Sequence, residues 1–366
     1  MAQEKTLLDQ ARENIDLIDK QMANLFCKRM IAVGDVAKFK KETGKEIFDQ
    51  NRENAIILKN IEYLKTLEFN QLPENLEQYY KEFIINLMSI SKKFQVNVIG
   101  KEKIGFQGTA GAFSQIALKN IFNEDEYIQQ AYASFEDVFL AVENGSINKG
   151  VIPIENSNTG DVGEVFDLLL KYNLHIIKTY DLPVFQNLLG IKGASISSVK
   201  TVYSHSQALA QAKDFISNHN FNQVSFANTA LAAKHVSESG DKTKAAIASK
   251  ETAQIFNLDI LAENINTNLA NTTRFIVISK KLNSAGEKFS MMFTLNHKSG
   301  ALADVITQIA TLGFNLASIK SRPLKNKPWQ YYFYAEAEGY LNDENAKALI
   351  NLLNEKVLSF KILGVY

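Results

Sequence analysis

The stretch from residue 8 to residue 40 reads LDQARENIDLIDKQMANLFCKRMIAVGDVAKFK. Apolar side chains recur along it at alternating steps of three and four residues, which is the spacing of one helix face. They are Leu8, Ala11, Ile15, Ile18, Met22 and Leu25, followed by Ala32, Val36 and Phe39. The pattern predicts a helix of about 35 residues, roughly 50 Å long, that ends in the segment 41–45.

Two shorter helices are predicted to follow, from about residue 46 to 67 and from about residue 74 to 95. Their apolar positions are Ile57, Ile61 and Leu64 in the first and Phe83, Leu87 and Phe94 in the second. Three helices of such unequal length cannot bury their apolar faces within one compact chain. We therefore expect an all-α domain over residues 1–97 that forms an intertwined dimer.

Two cations interrupt the apolar face of the long helix. Arg29 stands where the repeat calls for an apolar residue, and Lys40 lies about 20° from it on the same face. Arg12 lies roughly 25 Å from Arg29 along the helix, so it could reach such a pocket only from a symmetry-related chain. Buried cations are costly unless anionic groups meet them. The other two helices add polar residues: Asp49, Arg52, Glu53, Ser91 and Gln95.

Taken singly, each of these residues is better explained by salt bridges that fix the helix register, with Arg12 in solvent. The whole set favours a pocket for an anionic ligand. Arginine is rare in the chain, and its planar fork grips carboxylates in a bidentate way. The five arginines among the 40 basic residues are Arg12, Arg29, Arg52, Arg274 and Arg322.

Beyond residue 103 the period changes to that of α/β layers. Short runs rich in β-branched residues alternate with helical stretches such as 134–144 and 206–217, which indicates largely parallel strands. The runs are 103–106, 150–154, 199–203, 245–248 and 274–279. We expect two α/β lobes over residues 103–281, joined near 181–184, with a cleft between them.

The last segment, residues 288–366, follows a linker at 281–288 and has the order βαββαβ. The first strand alternates Phe289, Met291, Phe293 and Leu295, and a helix is predicted to begin near Gly300. Further strands at 316–321, 329–337 and 359–365 and a helix from residue 342 complete the order. This pattern predicts a ferredoxin-like α+β sandwich.

The composition excludes several classes of protein. At 366 residues the chain is long enough for two or three domains. Its formal net charge is zero, so nothing points to nucleic acid or an anionic membrane as a partner. The single Cys27 suits a reducing compartment, and no signal peptide or membrane span is evident, so we expect a cytoplasmic protein. The five histidines lack ligand spacing, and no metal site is expected.

Polar residues cluster where the predicted strands end or begin. The stretches 151–160 (VIPIENSNTG) and 203–207 (YSHSQ) each follow a strand, and the stretch 271–278 (NTTRFIVI) enters one. Ligands of open α/β sheets bind at such ends, where helix N-termini favour anions. Each stretch alone is better explained by helix capping and turn formation.

The polar set of the helical segment resembles the all-helical chorismate mutase family over the full length of that domain. The resemblance implies a site shared between two chains, with Arg12 serving the partner and no nucleophile, metal or cofactor. It implies that Arg12, Arg29 and Arg52 grip the substrate carboxylates, with Asp49 and Ser91 also binding substrate. It further implies that Lys40 and Gln95 donate to the ether oxygen and that Glu53 accepts the ring hydroxyl.

The three polar stretches of the α/β segment resemble the prephenate dehydratase family. The resemblance implies that Thr273 is the acid near the leaving hydroxyl and that Arg274 binds a carboxylate. It also implies substrate contacts from Glu155, Asn156, Ser157, Ser204 and Gln211. The glycine-rich stretch 106–114 carries Thr109 and Ala112, which resembles relatives that use arogenate, so arogenate is the alternative substrate.

The C-terminal segment resembles the phenylalanine-binding ACT domain through Gly300-Ala-Leu302 and Ile319-Lys-Ser-Arg-Pro323, where the family usually has Glu at the position of Lys320. The residues implied to bind phenylalanine are Gly300, Ala301, Leu302, Asn315, Leu316, Ser321 and Arg322. The alternative is a sandwich used only for dimerisation. 

Together the three resemblances imply an enzyme of phenylalanine biosynthesis that turns chorismate into prephenate and then phenylpyruvate. L-Phenylalanine is the expected effector, and a homodimer or larger homo-oligomer is the expected assembly. The rival without catalysis is a two-lobed protein that binds amino acids, carried on a helical dimerisation hairpin. Arg29, Lys40 and Arg52 argue against that rival, because a dimerisation hairpin has no need of them.

Overall fold

The structure is a computed structural model that describes residues 6–43, 50–67, 75–325 and 327–366, with Gln50 and Asn51 described by their backbone only. The chain divides into two compact units, Met1–Lys101 and Glu102–Tyr366. None of the helices in the described part of the chain is long and apolar enough to span a membrane.

Within its described residues the first unit consists of three helices, α1 (Leu7–Thr43), α2 (Gln50–Lys65) and α3 (Leu76–Ile99). Helix α1 has 37 residues, which confirms the long helix predicted from the apolar repeat. Its C-terminal half packs on α3: Ala37 is fully buried, and Gly34 lies against the ring of Phe94.

The N-terminal half of α1 has no cover within the described residues of this chain. Leu8, Ile15 and Leu25 are 58%, 55% and 63% exposed. The prediction that one chain cannot bury this apolar face is therefore confirmed for the residues described. The intertwined dimer itself stays a prediction.

The face that α3 buries differs from the predicted one. Phe83 and Phe94 are exposed, and the buried residues are instead Ile84, Met88, Ser91, Gln95 and Val96. The two sets are one residue apart along the helix, so both fit a helical repeat. The observed face places two polar side chains in the interior of the helical unit.

The second unit contains strands and helices in α/β and βαββαβ order. Its strands are β1 (Glu102–Gln107), β2 (Tyr127–Tyr132), β3 (Lys149–Asn156), β4 (Gly160–Asp161), β5 (His175–Pro183), β6 (Asn187–Gly190), β7 (Thr201–Ser204), β8 (Asn222–Ser225), β9 (Lys244–Ala248), β10 (Asp259–Ala262), β11 (Thr272–Ser279), β12 (Lys288–Thr294), β13 (Asn315–Pro323), β14 (Tyr331–Glu338) and β15 (Ser359–Val365). Its helices are α4 (Phe113–Ile121), α5 (Phe135–Glu143), α6 (Gly163–Lys171), α7 (Ser206–Gln211), α8 (Lys213–Asn218), α9 (Thr229–Ser239), α10 (Lys250–Ile255), α11 (Ala301–Thr311) and α12 (Glu344–Lys356).

Two lobes are built on two separate sheets. In the described residues the first lobe has the strand order β5-β11-β3-β1-β2, with β4 paired to β3, and the second lobe has β10-β6-β9-β7-β8. The chain leaves the first sheet after Pro183 and returns to it at Thr272. Two α/β lobes were predicted and are found. The parallel pairs are β1 with β2, β1 with β3, β7 with β8 and β7 with β9. The pairs β3 with β11, β5 with β11, β6 with β9 and β6 with β10 are antiparallel.

The C-terminal segment forms a sandwich with the strand order β13-β14-β12-β15, covered by α11 and α12. This is the order of a ferredoxin-like βαββαβ fold, as predicted. Its sheet is continuous with that of the first lobe, because β15 pairs with β5 through Gly364 and Ile176. A Cβ at residue 364 would lie 2.1 Å from the carbonyl oxygen of Ile176, so only glycine permits this approach.

Candidate active sites

The helical unit brings Arg29, Ser91 and Gln95 together between α1 and α3. The Arg29 guanidinium donates a hydrogen bond to the Ser91 hydroxyl, which donates to the carbonyl of Leu87 at 2.6 Å. Burial lowers the pKa of Arg29, and among the described residues no carboxylate pairs with it. Gln95, one turn beyond Ser91, is buried, and its Oε1 has no hydrogen-bond partner in the described part of the chain. A cation and an amide are thus placed to meet an anionic, polar ligand.

Glu53, on α2, contacts the residue that follows Ser91 on α3. Its carboxylate pairs with Lys92 of α3 at 3.1 Å, and both side chains are largely buried. Lys92 was not among the predicted site residues. Helix periodicity places Lys92 off the predicted apolar face. The sequence therefore points to it only through its position directly after Ser91.

The remaining predicted residues of this site are more dispersed. Lys40 is half-buried near the end of α1, and Arg52 is exposed on α2. Arg12 is exposed on α1 and, at 1.5 Å per residue, lies roughly 25 Å from Arg29 along the same helix. Asp49 lies outside the described residues. Within one chain, Arg12 is therefore too far away to contact a small ligand held at Arg29.

In the second unit, Asn156 organises a polar cluster at the end of β3. Its Nδ2 donates to Thr273 Oγ1 at 2.9 Å and to Asn271 Oδ1 at 2.8 Å. Its Oδ1 accepts from the backbone N–H groups of Asn158 and Thr159 at 3.0 and 3.1 Å. Asn156 itself is buried, so these bonds are shielded from water.

The Thr273 hydroxyl is oriented by this cluster. Because its oxygen accepts from Asn156, its own proton points elsewhere, and no acceptor for that proton is found in the described residues. The Thr273 side chain is half-buried rather than enclosed. It is therefore placed to donate to a bound molecule.

A cleft of about 630 Å³ lies next to the cluster, between the two lobes. The hydroxyl of Thr159, in the first lobe, accepts a hydrogen bond from Gln207 Nε2, in the second, at 3.0 Å. Gln211, one of the residues implied to contact substrate, lines the cleft and accepts a hydrogen bond from Gln186 at 3.1 Å. The residues that line the cleft are Asn158, Thr159, Ser206, Gln207, Ala210, Gln211, Lys213, Thr267 and Asn268. Among the described residues, no group of His, Cys, Asp and Glu side chains is arranged to hold a metal ion.

Sequence reasoning missed several of these lining residues. Asn158 and Thr159 belong to the polar stretch 151–160, so their signal was present. Lys213, the cation of the cleft, carries no signal of its own in the sequence, because it is one of many lysines on helices.

Some predicted residues are not brought to the cleft. Ser204 is fully buried, and its hydroxyl donates to the carbonyl of Ile247 at 2.6 Å, where it joins β7 to β9. Ser157 is exposed and bonds to the backbone of 270 and 272. Arg274 pairs with Asp181 at 2.9 Å, which raises the pKa of its guanidinium. Alternation along β11 sends Arg274 to the face opposite Thr273, and for that reason these two motif neighbours do not share one site.

The glycine-rich stretch 106–114 contacts the second lobe. Thr252 Oγ1, on α10, donates to the carbonyl of Gly111 at 3.0 Å. Gly111 has a φ of 87°, and an added Cβ would lie 2.9 Å from the same Thr252 oxygen. The Thr109 hydroxyl is buried and has no partner in the described residues.

In the C-terminal sandwich, Gly300 has a φ of 83° and precedes α11, which begins with Ala301 and Leu302. A cleft of about 310 Å³ beside this turn is lined by Leu295, Asn296, Lys298, Ala301, Asp304, Val305 and Lys356. The other predicted residues of this site lie on or beside β13. Asn315 donates to Glu338 at 2.9 Å, Leu316 is half-buried and Ser321 is exposed.

Arg322 donates to the Tyr332 hydroxyl at 3.1 Å and lies 3.7 Å from Asp167 of α6. Of these two residues, Tyr332 belongs to the sandwich and Asp167 to the first lobe. Within this chain, the described structure does not bring Ser321 or Arg322 to the cleft beside Gly300.

Comparison with known families finds two matches in separate stretches. Residues 11–96 match the family of chorismate mutase type II, and residues 104–283 match the prephenate dehydratase family. The two stretches coincide with the helical cluster and with the cluster around Asn156.

Three similar proteins span different parts of the chain. The bifunctional chorismate mutase/prephenate dehydratase of Aquifex aeolicus is 30% identical over 364 residues, which cover 98% of this chain and 97% of that protein. The chloroplastic arogenate dehydratase/prephenate dehydratase 1 of Arabidopsis thaliana is 36% identical over 284 residues, 73% of this chain and 72% of that protein. The crystal structure of prephenate dehydratase from Arthrobacter aurescens in complex with L-Phe superposes with a TM-score of 0.66 at 27% identity, covering 72% of this chain and 89% of that one.

Proposed function

Because the chain belongs to the bifunctional chorismate mutase/prephenate dehydratase family, we propose that its helical unit rearranges chorismate to prephenate and its two lobes convert prephenate to phenylpyruvate. The observation that carries this assignment is the coincidence of each family match with its own polar cluster. Neither reaction requires a cofactor. A cytoplasmic location fits the exposed Cys27, because thiols stay reduced there.

The rearrangement breaks the ether C–O bond and forms a C–C bond within one molecule, so it needs neither a base nor a nucleophile. Catalysis consists of holding a compact conformer and stabilising the charge that develops on the ether oxygen. Arg29 and Arg52 would bind the carboxylates of chorismate, with Ser91 and Asp49 as further contacts. Lys40 and Gln95 would donate to the ether oxygen, and Glu53 would accept the ring hydroxyl. Arg29, which is partly buried and has no carboxylate partner among the described residues, supports this arrangement.

A second copy of the chain would complete the helical site. The apolar residues on the N-terminal half of α1 are exposed to solvent in the described part of this chain, so a second chain is expected to cover them. Arg12 lies on the same half of α1. An intertwined homodimer would bury these residues and carry Arg12 to the partner's pocket.

Gln95 gives the mutase a donor that does not titrate. Replacing it by glutamate (Gln95→Glu) puts a carboxyl group in a buried position, where desolvation raises the pKa. Only the protonated acid can donate to the ether oxygen, so the variant's mutase kcat/KM is expected to fall about tenfold per pH unit above that pKa. The wild-type profile is expected to stay flat. Mutase rates from pH 5 to 9 test this, with the dehydratase rate of the same chain as control. A flat, fully active Gln95→Glu profile would remove Gln95 from the proposed site.

The dehydratase reaction releases a carboxylate as CO2 while the ring hydroxyl leaves as water. The electron pair of the breaking C–C bond completes the aromatic ring, and the departing hydroxyl takes up one proton, which the Thr273 hydroxyl would donate and then recover from solvent. We assign Thr273 the role of donor to that hydroxyl, with Asn156 holding it in place. Gln211 and Lys213 line the adjacent cleft, and Lys213 offers a positive charge for a substrate carboxylate.

Arogenate is a second candidate substrate for the lobes. The relative from Arabidopsis thaliana is named for both arogenate and prephenate, and Thr109 departs from the glycine-rich pattern typical of prephenate dehydratases. Steady-state kinetics with the two substrates at equal concentration distinguish the candidates. A higher kcat/KM for arogenate would reassign the activity of the lobes.

The C-terminal sandwich would serve as an ACT-type sensor of phenylalanine. Its βαββαβ order and the open turn at Gly300 support this role, and a related dehydratase was crystallised with L-Phe. We expect millimolar L-phenylalanine to lower the dehydratase rate and to leave the mutase rate unchanged. Gly300→Val should weaken this inhibition, because a β-branched residue cannot easily adopt a positive φ. A flat phenylalanine titration of the wild type would leave the sandwich with a role in assembly alone.

The whole assignment is tested by incubating the protein with chorismate. Loss of chorismate absorbance and the appearance of phenylpyruvate are expected. If chorismate persists, the helical site is wrongly assigned; if prephenate accumulates, the site in the lobes is.

A further inference from the structure

The strands that carry Asn156 and Thr273 present a second pair of residues on their opposite face. In the antiparallel pairing of β3 and β11, Asn156 is opposite Thr273 and Glu155 is opposite Arg274. Because side chains alternate along a strand, the first pair shares the face of the polar cluster and the second pair faces the other way. That other face is met by the C-terminal sandwich.

Lys320 of β13 contacts this face from the sandwich. Its ammonium lies 2.9 Å from the Glu155 carboxylate and 2.5 Å from that of Asp161. Only 16% of the Lys320 side chain is exposed, and its ammonium stands 5.5 Å from the centre of the Phe166 ring. Ion pairs that are screened so little by water are stronger than those on an open surface.

Glu155 and Asp161 are themselves opposite each other in the β3–β4 hairpin. Lys320 therefore bridges the two strands of that hairpin at its base. The turn between them contains Asn158 and Thr159, which line the cleft between the lobes. A residue of the sandwich thus holds a turn that belongs to the dehydratase site.

A second contact runs beside the first. Arg274 pairs with Asp181 of β5 and lies 3.8 Å from Glu336 of β14. The Glu336 carboxylate is 11% exposed and accepts a hydrogen bond from the Tyr334 hydroxyl. Cations and carboxylates therefore alternate along this face, from Asp161 to Glu336.

We propose that Lys320 is a positioning residue of the dehydratase: by holding Glu155 and Asp161, it fixes the hairpin that places Asn156, and through it Thr273, at the cleft. The proposal rests on the dehydratase function assigned above to the lobes. Glutamate, the residue usual at this position in the family that the sandwich resembles, would set a third carboxylate against Glu155 and Asp161. The lysine in this chain instead neutralises them.

The test uses the full-length chain and supplied prephenate. Lys320→Met keeps the length of the side chain and removes its charge, and it is expected to lower the dehydratase kcat about tenfold with KM within about twofold, because a misplaced donor acts on the transition state more than on binding. Lys320→Arg should retain at least about half of kcat, and Lys320→Glu should lose more than Lys320→Met. The mutase rate of each variant is the internal control.

Lys347→Met is the matched control, since Lys347 is an exposed lysine of the same sandwich. It should behave as wild type. Circular dichroism would reveal whether Lys320→Met unfolds the unit. In that case Asp161→Asn removes the charge of one carboxylate that Lys320 contacts, and it should lower kcat while KM stays near wild type.

The outcomes separate the two proposals. A wild-type chain that does not act on prephenate overturns the function of the lobes. An active wild type with a Lys320→Met kcat within about twofold of it, or a Lys320→Arg variant as slow as Lys320→Met, overturns only the positioning role.

Discussion

Arg29→Ala is expected to abolish chorismate rearrangement while prephenate dehydration continues at the wild-type rate. Arg29 is a partly buried cation whose described hydrogen-bond acceptor is the neutral Ser91 hydroxyl, so a substrate carboxylate is the anion it lacks. Removing one such preorganised charge should lower the mutase kcat/KM by about 10³-fold, or about 4 kcal/mol. Both rates are measured on the same preparation, with chorismate and with supplied prephenate.

Lys28→Ala is the matched control for this variant. Lys28 is the neighbouring cation on the exposed side of α1 and should be dispensable for the mutase. Loss of both activities in Arg29→Ala would indicate a damaged fold, and retention of mutase activity would exclude Arg29 from the site.

Mixing inactive variants tests whether Arg12 serves the partner. In a dimer of one Arg12→Ala chain and one Arg29→Ala chain, the pocket of the first chain keeps its Arg29 and receives Arg12 from the second. That pocket is intact, and random exchange of equal amounts should restore about a quarter of wild-type mutase activity. Mixtures that stay inactive after exchange would place Arg12 outside a shared site.

Thr273→Ala is expected to have the opposite pattern: prephenate dehydration is lost and chorismate rearrangement is retained. The variant removes the hydroxyl that Asn156 orients, so the leaving hydroxyl has no donor. A loss of about 10²- to 10⁴-fold in kcat is expected, the range found for general acid groups. Production of phenylpyruvate from prephenate provides the measurement.

Two further substitutions sharpen this result. Thr273→Ser keeps the hydroxyl and should retain most of the rate, whereas Thr272→Ala makes the same change one residue earlier, on the other face of the strand, and should leave it near wild type. A Thr273→Ala chain as active as wild type would mean that another group protonates the leaving hydroxyl.

Local periodicity was enough to predict the long helix and the placement of Arg29 in it, because the steps of three and four residues can be read along the sequence itself. It was not enough for α3. The spacing of Phe83 and Phe94 is as helical as that of Ile84, Met88, Ser91 and Gln95, and only packing against another helix decides between two faces one residue apart. Ser91 follows Leu87 by four residues, so periodicity already placed it on the predicted apolar face, whereas Gln95 could be expected inside only through the family resemblance.

In the lobes, the strands β1, β3 and β11 follow from their β-branched runs, but their register does not. Asn156 and Thr273 are 117 residues apart in the chain, and no local pattern states that they are opposite each other. The same register decides that Arg274, adjacent to Thr273, faces the sandwich. Thr273 and Arg274 were therefore assigned to one site because they are adjacent in the motif, although their side chains lie on opposite faces of β11.

The pairing of β15 with β5 has a consequence for any attempt to divide this protein. Asn283 Nδ2 donates to the carbonyls of both Ile177 and Val365, and so ties the two strands beyond the contact at Gly364. A fragment that stops after residue 283, where the dehydratase match ends, would leave β5 as an uncovered edge strand. Bare strand edges pair with one another between molecules. The sandwich therefore also covers this edge, and a fragment that ends at residue 283 is expected to lose solubility together with the contacts of Lys320.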